Sequence, residues 1–206
     1  MRALAADLAA ALFPARCPGC GDRGEPICSA CRSELRPPPP SPPPPGIGLW
    51  VAAFEYSGVA REVIARVKYH DERGSVAWLA RRTAQAAHPL GRSDIVSWPP
   101  TTAGRRRARG FDHAALLASG VARELRTPAV ALLRRVDAVA QTGRPARDRR
   151  SGPAFEVSRP CAGARVLLVD DVATTGATLS AAARAVREAG ATTVVAATAA
   201  RTPPRW

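Results

Sequence analysis

Two adjacent carboxylates, followed by a loop of small and hydroxyl-bearing residues, have the types and spacing to bind a ligand. Residues 165–180 read RVLLVDDVATTGATLS: four apolar residues predict a buried strand, Asp170 and Asp171 come where it ends, and a helix begins after Gly176. Ligands of open α/β sheets bind at the carboxyl ends of strands, and a helix N-terminus offers free N–H groups to a phosphate. The segment therefore predicts a phosphorylated sugar, with its phosphate in the loop, its hydroxyl groups on the acids and a hydrated Mg²⁺ nearby.

The same spacing excludes two other phosphate-binding motifs. A dinucleotide fingerprint needs glycines at Gly-x-Gly-x-x-Gly spacing, and only Gly176 is present. A Walker loop needs a lysine before Ser or Thr, and the single lysine of the chain is Lys68. The remaining alternative is an ordinary strand–turn–helix corner, which would rarely carry two acids before Thr-Thr-Gly-x-Thr.

Four cysteines near the start of the chain form a second constellation. Cys17 and Cys20, and then Cys28 and Cys31, make two Cys-x-x-Cys pairs separated by seven residues. Two such knuckles supply four thiolates in a tetrahedron, which predicts a structural zinc site. The alternatives are a redox-active dithiol pair or a degenerate site that no longer binds metal. Cys161 stands alone, and we expect it to be inert.

Arginine dominates the charge of the chain. The formal net charge is +13, and every basic residue other than Lys68 is arginine. Between Gly104 and Arg150 there are 12 arginines and four acidic residues, so this segment holds most of the excess. Such a concentration attracts phosphate groups, either on a small ligand or on nucleic acid. The alternative is a solvated cationic face with no ligand.

Alternating strands and helices predict an α/β domain with a mainly parallel sheet. Strands are predicted at Leu49–Tyr56, Asp94–Trp98, Ala129–Leu133, Arg165–Val169 and Thr192–Thr198, and helices at Val59–Tyr69, Val76–Ala87, Asp112–Leu125 and Leu179–Ala189. Arg144–Pro153 lacks apolar residues and is predicted to be a loop. No apolar run is long enough for a membrane-spanning helix.

The first 48 residues are predicted to be separate from this domain. Leu4, Leu8 and Leu12 share one face of a short amphipathic helix, and Asp7 interrupts any signal-peptide core. We therefore expect a cytoplasmic protein. Eight of the nine residues of Pro37–Pro45 are proline, which predicts an extended, semi-rigid spacer. The predicted units are residues 1–36 (helix and zinc knuckle), 37–48 (proline-rich linker) and 49–206 (α/β domain).

Val166–Thr178 resembles the 5-phosphoribosyl-1-pyrophosphate (PRPP) binding signature of type I phosphoribosyltransferases. The order of the whole chain is similar to the ComF family of competence proteins, in which a Cys-x-x-Cys zinc knuckle precedes such a domain. Further matching segments are Cys17–Cys31, Ala53–Tyr56, Val67–Tyr69, Arg109–Leu117, Gln141 and Ala154–Phe155. The resemblance implies a type I phosphoribosyltransferase-like sheet flanked by helices, PRPP binding with Mg²⁺, and a role in uptake or processing of single-stranded DNA during natural transformation.

The resemblance also implies roles for individual residues. Asp170 and Asp171 would hold the ribose hydroxyl groups of PRPP. The 5-phosphate would be bound by Ala173, Thr174, Thr175, Gly176, Ala177 and Thr178, here named the phosphate loop. Lys68, Arg107 and Arg109 would lie on the pyrophosphate side, and residues 46–70 would form part of the hood that selects the acceptor.

Three departures from the family pattern lie on the pyrophosphate and acceptor side. Ser97-Trp98-Pro99 replaces Pro-Val-Pro, Asp112-His113 replaces Asn-Gln, and a family Asn falls near Gly152. No general base is evident; His113 is a candidate, and its alternative is an ordinary surface residue. The predicted activity is phosphoribosyl transfer. The alternatives are a single-stranded DNA-binding module and a docking factor for a DNA-processing partner, built on a catalytically inactive fold.

Overall fold

A computed structural model describes residues 16–22, 26–69, 73–136 and 153–203. The predicted amphipathic helix containing Leu4, Leu8 and Leu12 lies outside the described residues. So do Gln141, Gly152 and nearly all of the predicted loop that ends at Pro153. No helix within the described residues is long and apolar enough to cross a membrane.

Four parallel strands form the central sheet. The strands along the chain are β1 (Trp50–Glu55), β2 (Ile95–Ser97), β3 (Leu133–Val136), β4 (Ala154–Val157), β5 (Arg165–Ala173) and β6 (Thr193–Arg201). The order in the main sheet is β1-β6-β5-β2, and every pairing in it is parallel. β3 and β4 pair antiparallel in a second, two-stranded sheet. The mainly parallel α/β fold predicted from the sequence is therefore confirmed.

Seven helices connect and cover the strands in the described part of the chain. They are α1 (Ser29–Ser33), α2 (Gly58–Tyr69), α3 (Arg73–Ala87), α4 (Ala103–Arg109), α5 (His113–Leu125), the 3₁₀ turn His88–Leu90 and α6 (Ala177–Glu188). α2, α5 and α6 lie within a residue or two of their predicted bounds. α3 begins three residues earlier than predicted, and α4 was not predicted because its run of arginines shows no apolar period.

Side chains of β5 alternate between two cores, which explains its apolar sequence. Leu167 and Val169 pack on one face of the sheet with α3 and α5, while Val166 and Leu168 pack on the other face with α6. All four are buried, as expected for a central strand covered on both faces. β5 also continues beyond the apolar run to Ala173, so Asp170 and Asp171 lie within the strand rather than after it.

The strand predicted at Ala129–Leu133 is replaced by two shorter features. Ala129 makes an isolated parallel bridge with Val96 at the edge of the main sheet. The chain then leaves the sheet, and β3 begins at Leu133 and pairs with β4. The segment is apolar because Leu132 and Leu133 are buried in the core between the main sheet and α6, here called the α6-side core. An apolar pattern does not indicate with which of the two sheets the segment pairs.

The proline-rich segment is attached to the domain at both ends. The carbonyl oxygen of Arg36 accepts a hydrogen bond from the Glu55 amide at 2.9 Å, and the Gly48 amide donates to the Val194 carbonyl at 2.9 Å. These bonds tie one end to the end of β1 and the other to the start of β6. We call residues 37–48 the proline strap; the division of the chain into three units stays a prediction.

Candidate functional site

A cavity of about 530 Å³ opens at the carboxyl ends of β1 and β5. This size is within the range of about 300–1,000 Å³ typical of small-molecule sites. Its lining residues are Tyr56, Arg61, Ala65, Pro99, Pro100, Thr101, Asp112, His113, Ala114, Arg135, Asp170, Asp171, Val172, Thr174 and Thr178. The cavity thus brings together both predicted acids and two threonines of the phosphate loop.

Asp170 and Asp171 both face this cavity although they are neighbours in a strand. Successive side chains of a strand point to opposite faces, so the cavity wraps around the exposed end of β5. An Asp170 carboxylate oxygen also accepts a hydrogen bond from the Asp171 amide at 2.9 Å. This bond holds the Asp170 carboxylate against the backbone of Asp171.

The phosphate loop turns directly into α6 at Gly176. Gly176 has φ of 73° and is the N-cap residue of α6, with no side-chain capping bond. The Thr175 hydroxyl oxygen accepts a hydrogen bond from the Ala177 amide at 3.3 Å. This amide is among those that a helix start leaves without a helical partner. The hydroxyl occupies a position where an anion oxygen would bind, as helix N-termini favour.

Arg201, the last residue of β6, and Thr202, which follows it, hold the loop and the neighbouring wall in place. The Thr202 amide donates to the Ala173 carbonyl at 3.0 Å, and the Thr202 hydroxyl donates to the Thr174 carbonyl at 3.2 Å. The Arg201 carbonyl accepts from the Tyr56 amide at 2.7 Å. Sequence reasoning missed these residues, since threonine and arginine near the end of a chain carry no distinguishing signal.

Asp112 caps α5 with one carboxylate oxygen and binds the loop after β2 with the other. One oxygen accepts from the amides of Ala114 at 3.1 Å and Ala115 at 3.4 Å, and the other accepts from the Thr101 amide at 3.1 Å. A negative side chain here is also favoured by the helix dipole. Asp112 therefore ties the loop after β2 to the start of α5, which accounts for its difference from the family Asn.

His113 is a buried structural residue. It is 7% exposed, so the surface-residue alternative is wrong. Its Nε2 lies 3.0 Å from the Val67 carbonyl oxygen on α2, and its ring lies 4.6 Å from that of Phe111. A carbonyl oxygen can only accept, so Nε2 carries the proton in this bond. The bond links the start of α5 to the last turns of α2.

Ser97, the last residue of β2 and the first departure from the family pattern, has a backbone partner. Its side chain is fully buried, and its hydroxyl oxygen accepts from the Leu132 amide at 3.3 Å. A proline at this position would remove this hydroxyl acceptor, and the Leu132 amide would then donate only to the Val130 carbonyl, at 2.9 Å. The neighbouring Trp98 packs against the core on the α3 and α5 side.

The predicted pyrophosphate-side residues lie on α2 and α4. Lys68 is in the last turn of α2 and Arg109 ends α4; their side chains lie outside the described part. Arg107 on α4 is exposed. Among the described residues, Arg61 and Arg135 are the cations that line the cavity. Arg61 lies within residues 46–70, the predicted hood. Arg135 reaches the cavity because it lies on β3, a strand that the sequence did not predict.

The four N-terminal cysteines converge as predicted. Their sulfur atoms all lie within 4.8 Å of one another, and the Cys20 and Cys28 sulfurs are 3.7 Å apart. Zn–S bonds of about 2.3 Å at tetrahedral angles require sulfurs about 3.8 Å apart. The four thiols therefore fit a structural zinc site. The Cys28 and Cys31 amides donate to the sulfurs of Cys17 and Cys28, each at 3.4 Å, as metal-bound thiolates require.

The environment of the thiols also suits a metal. Burial raises the pKa of Cys17, but amide hydrogen bonds from Cys28, Cys20 and Gly19 outweigh it and lower that pKa to about 6. Burial raises the pKa of Cys31, and its thiol neighbours raise it further. Four thiolates at these distances repel one another, and a bound cation removes the repulsion. Cys161 is buried far along the chain, and burial raises its pKa, as expected for an inert thiol.

The knuckle packs directly on α2. Cys17, Ile27 and Cys31 form a small buried core with Val63, and Val59 and Trp78 pack against it. Gly19 permits this approach, since a Cβ there would lie 2.6 Å from the Cys31 sulfur and 3.1 Å from a Val59 methyl carbon.

Residues 112–206 match the family model described as phosphoribosyl transferase domain. A search of curated proteins gave no match. The match covers α5, β3 to β6 and α6, which include both predicted acids and the whole phosphate loop. It agrees with the mainly parallel sheet and shows that this part of the chain, a little less than half of its length, is similar to a phosphoribosyl transferase domain.

Solved structures with similar backbones include a purine phosphoribosyltransferase and two longer enzymes. One is the allosteric regulatory enzyme of purine biosynthesis, which is 22% identical to this chain with a TM-score of 0.48. The alignment covers 68% of this chain and 30% of the enzyme's chain. The glutamine PRPP amidotransferase from B. subtilis is 24% identical, with a TM-score of 0.44. The alignment covers 61% of this chain and 26% of the amidotransferase chain. The purine phosphoribosyltransferase from Pyrococcus horikoshii Ot3 is 20% identical, with a TM-score of 0.41. The alignment covers 61% of this chain and 72% of that enzyme's chain. This chain spans less than a third of the first two proteins.

Removing one zinc ligand should release the metal. We expect native mass spectrometry to find one zinc per chain in the unaltered protein and substantially less in Cys20→Ser, because three thiolates bind zinc more weakly than four. Cys161→Ala is the matched control and should retain zinc. Equal zinc content in Cys20→Ser and the unaltered protein would contradict the four-cysteine site.

Removing the Asp112 cap should destabilise the domain. Asp112→Ala should lower the free energy of unfolding by about 1–2 kcal/mol, because it removes the N-cap of α5. Asp112→Asn retains one capping oxygen but not the second acceptor for Thr101, so its loss should be smaller. Urea denaturation monitored by circular dichroism measures both. An unchanged midpoint in Asp112→Ala would show that the cap carries no stability.

Proposed function

We propose that this protein binds PRPP in the 530 Å³ cavity and transfers its phosphoribosyl group to an acceptor. The observation that carries the proposal is that one cavity joins Asp170 and Asp171 to a loop at the N-terminus of α6. Carboxylates accept hydrogen bonds from ribose hydroxyl groups, and the loop amides suit the 5-phosphate. The family match of residues 112–206 supports the same assignment.

The charges around the cavity suit the remaining parts of PRPP. Arg61 and Arg135 contribute positive charge to its lining, and an arginine binds pyrophosphate oxygens with two parallel N–H groups. The two acids, Asp170 and Asp171, lie on β5, whereas the two arginines lie on α2 and β3. The predicted contributions of Lys68, Arg107 and Arg109 to the pyrophosphate side remain part of this proposal.

The proposed reaction is a substitution at the anomeric carbon of the ribose. The acceptor's lone pair forms the new bond to C1, while the C1–O bond to pyrophosphate breaks and pyrophosphate leaves with the electron pair. Positive charge develops on the ribose ring, and Asp170 and Asp171 stabilise that charge while they orient the hydroxyl groups. The acceptor loses its proton to water or to a carboxylate once the bond has formed.

Carboxylates such as these also fit Mg²⁺, which prefers hard oxygen ligands. When bound with PRPP, Mg²⁺ would neutralise charge on the departing pyrophosphate. The proposal assigns no catalytic role to His113, whose Nε2 donates to the Val67 carbonyl.

The ComF resemblance extends the proposal to natural transformation. Under it, the protein acts on single-stranded DNA or with a DNA-processing protein partner in the cytoplasm. Arg106 and Arg107 on α4 are exposed and offer phosphate contacts to a single strand. A reducing cytoplasm agrees with five cysteines that are all free thiols.

Replacing the two acids should weaken ligand binding. Isothermal titration with PRPP and Mg²⁺ should give a measurable dissociation constant for the unaltered protein. The double substitution Asp170→Asn/Asp171→Asn should weaken binding at least about tenfold, because charge-assisted hydrogen bonds are lost. Asp94→Asn, the same change at the amino end of the sheet, is the control. No heat with the unaltered protein at millimolar PRPP would refute the proposal.

Removing the exposed α4 arginines tests the DNA role. Arg106→Ala/Arg107→Ala should weaken binding of a labelled single strand and reduce the slope of log affinity against log salt by about 1–2. Arg81→Ala/Arg82→Ala, an exposed pair on α3, removes the same charge and should have a smaller effect. Equal effects of the two pairs would contradict a specific DNA-binding face on α4.

A further inference from the structure

The proline strap contacts the phosphate loop at a single point. A Cβ placed on Gly176 would lie 2.6 Å from the Cγ and 2.9 Å from the Cβ of Pro44. Pro44 is buried, whereas Pro42, Pro43 and Pro45 are exposed. The ring of Pro44 therefore packs directly on the backbone of Gly176, and no larger residue fits at that position.

Hydrogen bonds on both sides fix Pro44 to the domain. The Pro44 carbonyl accepts from the Ile47 amide at 3.1 Å, and the Gly46 carbonyl accepts from Nε of Arg187 on α6 at 2.6 Å. Ile47 is buried in the α6-side core. At the other end, Arg36 is bonded to the end of β1. The strap is therefore attached before and after the point at which it meets the loop.

Proline content makes the strap stiff between these attachments. Each proline fixes φ near −65°, and consecutive prolines form an extended helix that rises about 3.1 Å per residue. Such a segment has little conformational entropy to lose. Displacing Pro44 requires the strap to leave its anchors, so Pro44 restricts Gly176 more firmly than a flexible loop would.

The contact lies outside the ligand cavity. Thr174 and Thr178 of the phosphate loop line the cavity, but no residue of the strap does. On the other side of the loop, Thr202 holds the carbonyls of Ala173 and Thr174. The loop is thus restrained at its start by Thr202 and at Gly176 by Pro44.

We propose that Pro44 is a positioning residue, which holds Gly176 so that the first amides of α6 are oriented for the 5-phosphate. This inference rests on the proposed function. It assigns to the proline strap a role in binding the phosphate end of the ligand, through a restraint that lowers the ordering cost of binding.

The test measures ribose 5-phosphate and pyrophosphate separately by isothermal titration. Pro44→Gly should weaken ribose 5-phosphate binding about three- to tenfold and leave pyrophosphate binding unchanged. Pro43→Gly is the matched control, because it adds the same backbone freedom to the strap without touching the loop, and it should bind both ligands normally. A general loss of structure would weaken both ligands equally, so the difference between the two ligands distinguishes positioning from stability.

A second pair of variants tests the contact itself. Gly176→Ala should weaken ribose 5-phosphate binding about tenfold or more, because it adds a clash with Pro44 to the strain of a left-handed alanine. In Pro44→Gly/Gly176→Ala the combined loss should be smaller than the product of the single losses, since the clash is gone. Gly163→Ala is the control for strain, because Gly163 has a similar φ of 75° and an added Cβ there would meet no other atom within 4 Å. It measures the effect of a left-handed alanine on folding without a clash.

The outcomes separate this inference from the proposed function. If the unaltered protein binds ribose 5-phosphate and Pro44→Gly binds it equally well or more tightly, the positioning role is wrong and the proposed function stands. The positioning contact would likewise be refuted if the double variant lost ribose 5-phosphate affinity by the full product of the two single losses. If the unaltered protein does not bind ribose 5-phosphate at all, the proposed function and the role of Pro44 are refuted together.

Discussion

The parallel pairing of β5 between β6 and β2 is the constraint on which the site depends. Its apolar residues are buried on both faces of the sheet, so the strand has little freedom to shift in register, because one step would exchange its two faces. Pairing with β6 continues to Ala173 and Arg201. Asp170, Asp171 and the start of the phosphate loop are therefore placed by the same hydrogen bonds that form the core.

The loop itself needs more than the strand that leads into it. A helix start exposes amides whose directions depend on a few backbone angles, and Gly176 adopts a left-handed φ there. Thr202 bonds the first half of the loop and Pro44 packs against the turn. Restraints that come from β6 and from the strap thus converge on the same short segment, although they are more than 150 residues apart in the chain.

Local sequence patterns predicted the parts of the fold that depend on local chemistry. The buried run of β5, the periodicity of α5 and α6 and the convergence of Cys17, Cys20, Cys28 and Cys31 all have signals within a short window. The contacts of Arg135, Ser97 and Thr202 do not, because each depends on a residue far away in sequence. The strap shows the same limit: proline content predicts stiffness, but only the packed structure shows that Pro44 meets Gly176.

Helix α2 joins the knuckle to the cavity. Val63 on this helix is buried among Cys17, Ile27 and Cys31, while Arg61 and Ala65, two residues away on either side, line the cavity. The Val67 carbonyl accepts the bond from His113, which lines the same cavity. A helix transmits displacement because its residues are rigidly connected. The small core formed by Cys17, Ile27 and Cys31 therefore packs on the same helix that lines one wall of the cavity.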